Sequence, residues 1–202
     1  MDLVTQAKWD KAAPTFDMMA GGAAEERWLP YKTELFSHMQ GNILFLALGT
    51  GLDIPAFPTS QTIETIDISP EMLKQAQPRL NAYDGQINAQ VMDVHELDFN
   101  DNQFDQVYTS CTFCSVPNPV DGLKSLKRVL KPGGELRMFE HTGSQYHPFK
   151  LMMDLMTQLS RRIGPDMNRT TVANVQAAGF EITEVNNVFL DVVKTITAVK
   201  PT

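Results

Sequence analysis

The chain has 202 residues, 43% of them hydrophobic and 20% charged, with a formal net charge of −7. This composition excludes a disordered chain and suffices for the core of one ordinary domain. The acidic balance argues against nucleic-acid binding through a broad basic face, and no run is long and apolar enough to span a bilayer.

Residues 1–40 read as mainly helical, with breaks near Pro14 and at Gly21-Gly22. The run Ile43-Leu44-Phe45-Leu46-Ala47-Leu48-Gly49-Thr50-Gly51 reads as a buried strand entering a glycine turn. A second strand, Thr62 to Ile66, ends on Asp67, sixteen residues after Gly51. Ser69-Pro70-Glu71 has the signature of a helix start, and that helix is expected to run to about Leu80. A third strand, Ile87 to Met92, ends at Asp93, and a fourth covers Phe104 to Thr109. A helix from Pro119 to Leu130 should stop at Lys131-Pro132-Gly133-Gly134, before a fifth strand, Glu135 to Phe139, that ends at Glu140-His141. Helices are expected from Phe149 to Ile163 and from Thr170 to Ala178, with Gly179 closing the second. Phe180 to Val188 and Val192 to Val199 complete the chain as an antiparallel hairpin at the sheet edge.

Alternating strands and helices imply an α/β fold: a seven-stranded, Rossmann-like, mostly parallel sheet with helices on both faces and a C-terminal antiparallel hairpin. The expectation is a single domain, with residues 1–40 as a helical cover, 41–141 as a cofactor-binding core and 142–202 as substrate-side helices and hairpin. No basic start followed by an apolar run marks a signal peptide, so a soluble cytoplasmic protein is expected, with peripheral membrane contact left open.

The glycine turn and Asp67 carry the chemistry. In an open α/β sheet, ligands sit beyond the carboxyl ends of the strands. Glycine there lets the backbone approach a ligand, and a carboxylate on the next strand tip can accept both hydroxyls of a ribose. A dinucleotide site wants G-x-G-x-x-G, but the sixth position from Gly49 is Ile54 and from Ala47 is Leu52. An adenosine-type cofactor other than a dinucleotide fits better, beside the plainer reading of a strand–helix turn that binds nothing. Both cysteines fall in Cys111-Thr112-Phe113-Cys114. With no second pair for zinc and a strand rather than a helix at the motif, they read as reduced thiols near a pocket, and no metal is expected.

Leu48-Gly49-Thr50-Gly51, Ile66-Asp67-Ile68-Ser69-Pro70-Glu71-Met72-Leu73, Met92-Asp93-Val94, Asn102-Gln103-Phe104-Asp105 and Leu130-Lys131-Pro132-Gly133-Gly134 are each weak signals. In this order and spacing they resemble the class I S-adenosylmethionine-dependent methyltransferases. Cys114-Ser115-Val116-Pro117-Asn118-Pro119 and Glu140-His141 are similar to the bacterial phosphatidylethanolamine N-methyltransferases and the related thiol and quinone-precursor methyltransferases. The resemblance implies that Gly49, Thr50 and Gly51 line the methionine end of the cofactor. Asp67 would hold the ribose, with Ile68 against the adenine. Asp93 would accept from the adenine amino group, with Val94 beside it, and Thr109 would border the methyl-transfer path. Such proteins commonly carry an acid where Phe45 stands and a glycine where Ala47 stands, which weakens the expected grip on the cofactor and leaves room for a non-catalytic binding protein.

On the substrate side the resemblance implies a small-molecule or lipid-like acceptor, an amine head group first and a small thiol second. The segment Trp9 to Asp17 reads either as a pocket cover or as a helix packed on the sheet edge, and Tyr31 as a surface residue. Phe149, Met152, Met153, Met156, Leu159 and Ile163 follow helical spacing, a stripe that suits core packing or an apolar ligand. Arg161-Arg162 would suit a helix end or an anionic head group. The acceptor is expected to enter between residues 9–31 and this helix. His141, oriented by Glu140, is the candidate catalytic base, with His147 nearby, while His38 and His95 read as solvated surface histidines.

Overall fold

The structure is a computed structural model that describes residues 1–160, 166 and 168–202. The N-terminal helices are α1 (Leu3–Ala12), α2 (Phe16–Ala20) and α3 (Ala23–Ser37). The first strands and their helix are β1 (Ile43–Leu46), β2 (Thr62–Asp67), α4 (Pro70–Ala82) and β3 (Gln86–Val91). Then come β4 (Phe104–Ser110), α5 (Pro119–Val129), β5 (Leu130–His141) and α6 (Phe149–Ser160). The chain closes with α7 (Thr171–Ala177), β6 (Glu181–Phe189) and β7 (Val193–Val199).

The seven strands form one sheet in the order β3-β2-β1-β4-β5-β7-β6. β1 to β5 pair in parallel, and β7 pairs antiparallel with both β5 and β6. The terminal hairpin therefore sits as expected, with β7 inserted beside β5 and β6 at the edge. All four residues of β1 are buried, as they must be in a central parallel strand covered on both faces.

Side-chain alternation sends the two faces of β1 into two cores. Leu44 and Leu46 join Val107, Leu123, Leu126 and Leu136 beneath α5 and α7. Ile43 and Phe45 join Phe36, Phe57, Leu73 and Tyr108 beneath α3 and α4. Each fully buried side chain of this size contributes roughly 1.5–3 kcal/mol. Phe45 is completely buried, with its ring 4.8 Å from Phe57 and 5.6 Å from Phe36. It is packing, not a vacant ligand position.

Local chemistry explains the element ends. The Ser69 hydroxyl caps α4 by accepting from Met72 N at 3.0 Å, and Pro70 and Glu71 fill the first turn. Gly179 takes a φ of +85° just past α7. The fifth strand differs from expectation because it begins at Leu130 rather than Glu135. Leu130 pairs with Phe104, Glu135 with Gln106, and the Lys131–Gly134 turn bulges out between the two pairings.

The methionine-rich stripe also differs. On α6, Met153 is 5% exposed, whereas Leu151 and Leu155 are 68% and 63% exposed and Phe149 and Met152 about half exposed. The side chains of Met156 and Leu159, and the whole of Arg161, Arg162 and Ile163, lie outside the described residues.

Candidate active site

Beyond the carboxyl ends of β1 to β4 lies a cavity of about 290 Å³. Of the residues proposed for the cofactor, Gly49, Thr50, Asp67, Ile68, Asp93 and Val94 line it. Strand order explains the grouping: β3, β2, β1 and β4 place Asp93, Asp67, Gly49 and Ser110 in sequence along one edge of the sheet.

Gly49 has a φ of +59° and no atom within 4 Å of a would-be Cβ, so its backbone faces open space. Ala47 adopts the same left-handed conformation, φ +59°, which a Cβ makes costly. Asp67 is 6% exposed. Its two oxygens accept Gly49 N and Ser69 N, each at 2.8 Å. Burial raises its pKa to about 6 against the pull of those two amides. A carboxylate has about four lone-pair sites, so about half its accepting capacity remains.

Asp93 is engaged further. One oxygen accepts His95 N and the His95 Nδ1–H, each at 2.9 Å, and the other accepts Asp2 N at 2.8 Å. His95 Nε2 lies 2.7 Å from the Pro117 carbonyl. Both ring nitrogens thus face acceptors, an arrangement that favours the imidazolium. Burial pulls the His95 pKa down, but Asp93 and the backbone carbonyls outweigh it and leave it raised. Burial likewise pushes Asp93 up, yet its hydrogen bonds and His95 carry it below the usual carboxylate value. His95 is therefore a cavity residue rather than a solvated one. Its position two residues after a strand-end acid was the available signal.

The N-terminal segment contributes to the cavity wall. Trp9 and Phe16 line the cavity with ring centroids 6.0 Å apart. Asp10 accepts the Ser69 hydroxyl at 2.6 Å; Asp17 accepts the Thr50 hydroxyl at 2.5 Å and Arg79 Nη2 at 2.8 Å.

The remaining sequence candidates lie off the cavity. Gly51 is turned toward α4, where a Cβ would come within 2.8 Å of Ile54 Cδ1. Glu140 is fully buried and accepts the Thr109 hydroxyl at 2.7 Å and the amides of Thr112 and Phe113 at 3.1 Å each. Its carboxylate fixes the loop after β4, burial raises its pKa to about 7, and Thr109 is used up in the same arrangement. His141 is half-buried, its Nδ1 finds no partner among the described residues, and burial lowers its pKa. None of the three lines the cavity, so a catalytic Glu140–His141 pair is not what the fold assembles. Among the described residues, none of α6 lines it either, so Met152 and Met153 stand off the cavity.

The cysteines lie where the sequence reading put them, near a pocket, whereas a second feature escaped it. Cys111 is exposed to the cavity in a left-handed conformation, φ +50°, and desolvation by the surrounding walls holds its thiol pKa well above the ordinary value. Cys114 is buried and raised to about 12, chiefly by that burial, and both cysteines are free thiols. The second feature is a buried ionic cluster, Glu25, Lys32 and Asp53, which also lines the cavity. Lys32 Nζ lies 2.9 Å from Asp53 Oδ1 and 2.9 Å from both Glu25 oxygens. Burial works against the Lys32 charge, but Asp53 and Glu25 more than offset it and its pKa is raised. Burial raises Glu25 despite Lys32. Nothing in the local sequence of α3 marks Glu25 or Lys32.

Residues 44–138 match the family described as "Methyltransferase domain". A ubiquinone/menaquinone biosynthesis C-methyltransferase, UbiE, of Geotalea daltonii is 32% identical over 155 residues, 72% of this chain and 66% of the relative. By these matches and by its fold the chain is similar to the class I S-adenosylmethionine-dependent methyltransferases. This class uses S-adenosylmethionine as its methyl donor. A phosphatidylethanolamine N-methyltransferase of Cereibacter sphaeroides is 28% identical over 126 residues, 61% of this chain and 62% of the relative. These two matches thus take in just under two thirds of the curated relatives' own length. Among solved structures, a phosphoethanolamine N-methyltransferase 2 of Haemonchus contortus shares the fold with a TM-score of 0.69 at 17% identity, covering 98% of this chain and 61% of that one. That structure was solved with phosphomonomethylethanolamine and S-adenosylhomocysteine.

Proposed function

We propose that this protein transfers a methyl group from S-adenosylmethionine to a small or lipid-like acceptor with an amine head group. The observation that carries the reading is the single cavity shared by Gly49, Asp67 and Asp93. A ribose needs a carboxylate with spare accepting capacity, and Asp67 keeps it. The sugar and the methionine end need close approach to backbone, and Gly49 is open. Asp93 holds the adenine side, with Ile68 and Val94 as its apolar walls. The bound cofactor supplies an electrophilic methyl group on a sulfonium.

The chain's own residues then have three tasks. The strand tips orient, since placing donor and acceptor in line supplies most of the acceleration in such a transfer. The N-terminal segment excludes water through Trp9 and Phe16. The aromatic faces of Trp9, Phe16 and Trp28 favour an acceptor that gains positive charge on nitrogen as it is methylated. The phosphatidylethanolamine N-methyltransferase relative supports this acceptor class. A second reading, C-methylation of a quinone precursor, is supported by the higher identity to the UbiE relative. Leu151 and Leu155, both largely exposed, lie away from the cavity and support peripheral membrane contact instead.

Radiolabel transfer from S-adenosylmethionine to phosphatidylethanolamine vesicles, a demethylated quinol and small thiols tests the reading. Label in the amine is expected. Label in the quinol alone would replace the amine reading by the second one, and label in none would contradict both.

A further inference from the structure

β1 brings no carboxylate to the cavity, because Phe45 is sealed in the aromatic core. Charge enters the same region from elsewhere. Lys32 and Glu25 descend from α3, and Asp53 comes from the turn after Gly51, held by the Ser110 hydroxyl at 3.2 Å. Their side chains are 6%, 16% and 11% exposed, in that order. One ammonium is shared by two carboxylates. Burying three charges this deeply is expensive and is weak ground for a purely stabilising role.

Their position in the strand order is informative. A ligand with its base at Asp93 and its ribose at Asp67 runs along the edge toward β1 and β4, and its far end arrives at Asp53, Ser110 and Lys32. At that end S-adenosylmethionine carries an α-carboxylate and an α-ammonium. A buried lysine matches the first and a pair of carboxylates the second.

We infer that Lys32, with Asp53 and Glu25, is the receptor for the amino-acid end of the cofactor and takes over from the acid that β1 lacks. This rests on the cofactor reading above and adds residues to it. Asp53 and Glu25 hold Lys32 in place. On binding, Lys32 turns part of its donor capacity to the α-carboxylate, and the carboxylates accept from the α-ammonium. Because two of the three groups ride on α3, the cover helix becomes part of the binding site.

Calorimetry on the full chain with S-adenosylhomocysteine and 5′-methylthioadenosine tests this, since the second ligand keeps the adenosine and thioether but lacks the amino-acid end. The wild-type protein should bind S-adenosylhomocysteine roughly 10- to 150-fold more tightly, as expected for one charge-assisted contact. Lys32→Met and Asp53→Asn should each erase most of that preference while leaving methylthioadenosine affinity within about twofold. Should Lys32→Met fail to fold with two unpaired carboxylates, Glu25→Gln combined with Lys32→Met removes one of them, and the methylthioadenosine affinity reports an intact adenosine half. Equal wild-type affinity for the two ligands, or a preference unchanged in the variants, would overturn the assignment. If neither ligand binds, the cofactor reading falls and this inference falls with it.

Discussion

Asp67 and Glu140 are both buried carboxylates at the tips of parallel strands, and both are pushed up by burial, to about 6 and about 7. Their surroundings separate them. Asp67 accepts two backbone amides and faces a cavity. Glu140 accepts two amides and a hydroxyl and faces protein on all sides. A raised pKa at a strand tip therefore does not by itself mark a catalytic group; open space beside the group does. Asp67 is set to hold a ligand and Glu140 to hold a loop.

The comparison can be sharpened by a third position, on β1 between them in sheet order. Phe45→Glu puts a carboxylate into the Phe36–Phe57–Tyr108 core with no partner there. Losing the ring alone should cost about 3–5 kcal/mol, and the buried charge adds to it. Denaturant melts should show an unfolded or barely stable variant. A stable variant with tighter cofactor binding would mean that β1 does reach the cavity.

Glu140→Ala should be the next largest effect. It strands the amides of Thr112 and Phe113, each unsatisfied group costing about 1–3 kcal/mol. The melting temperature should fall well below that of Glu140→Gln, which keeps an acceptor. If Glu140→Ala keeps wild-type stability but loses turnover, Glu140 is a catalytic residue after all and the contrast with Asp67 is broken.

The pH dependence gives a smaller, signed difference. Both folded-state pKa values lie above the ordinary 3.8 and 4.5. Each group therefore contributes stability that is fully present below its unfolded value and is lost as pH rises through about 6 for Asp67 and about 7 for Glu140. Asp67→Asn and Glu140→Gln should each flatten the fall in stability between about pH 4 and pH 8 relative to wild type. Cofactor affinity should move the other way at Asp67, weakening below about pH 6 as the carboxylate protonates. Parallel slopes in wild type and Asp67→Asn would contradict the buried-carboxylate account.

The fold was legible because its signals are local. Alternating periodicity, Ser69-Pro70-Glu71 and the terminal hairpin each follow from a few neighbouring residues. The adenosine half of the site was legible for the same reason, since Gly49, Asp67 and Asp93 sit where strands end. The other half is built by long-range packing. Lys32 meets Asp53 across 21 positions and Asp17 meets Thr50 across 33, and no short-range pattern encodes either contact. Glu140 and His141 misled because a strand tip fixes where a residue lies along the sheet but not what closes over it. Phe45 could have been placed by alternation alone, since it shares a face with Ile43 and that face is core.

The central claim is that Asp67 lies in an S-adenosylmethionine site, and calorimetry with S-adenosylhomocysteine tests it most directly. The wild-type chain should give a clear heat of binding, and Asp67→Ala, less stable because it strands the amides of Gly49 and Ser69, should, measured where it remains folded, bind more weakly by about 1.5–3 kcal/mol, because charge-assisted bonds to the ribose are lost. No heat from the wild-type chain at millimolar ligand, or an Asp67→Ala variant that binds as the parent does, would contradict it.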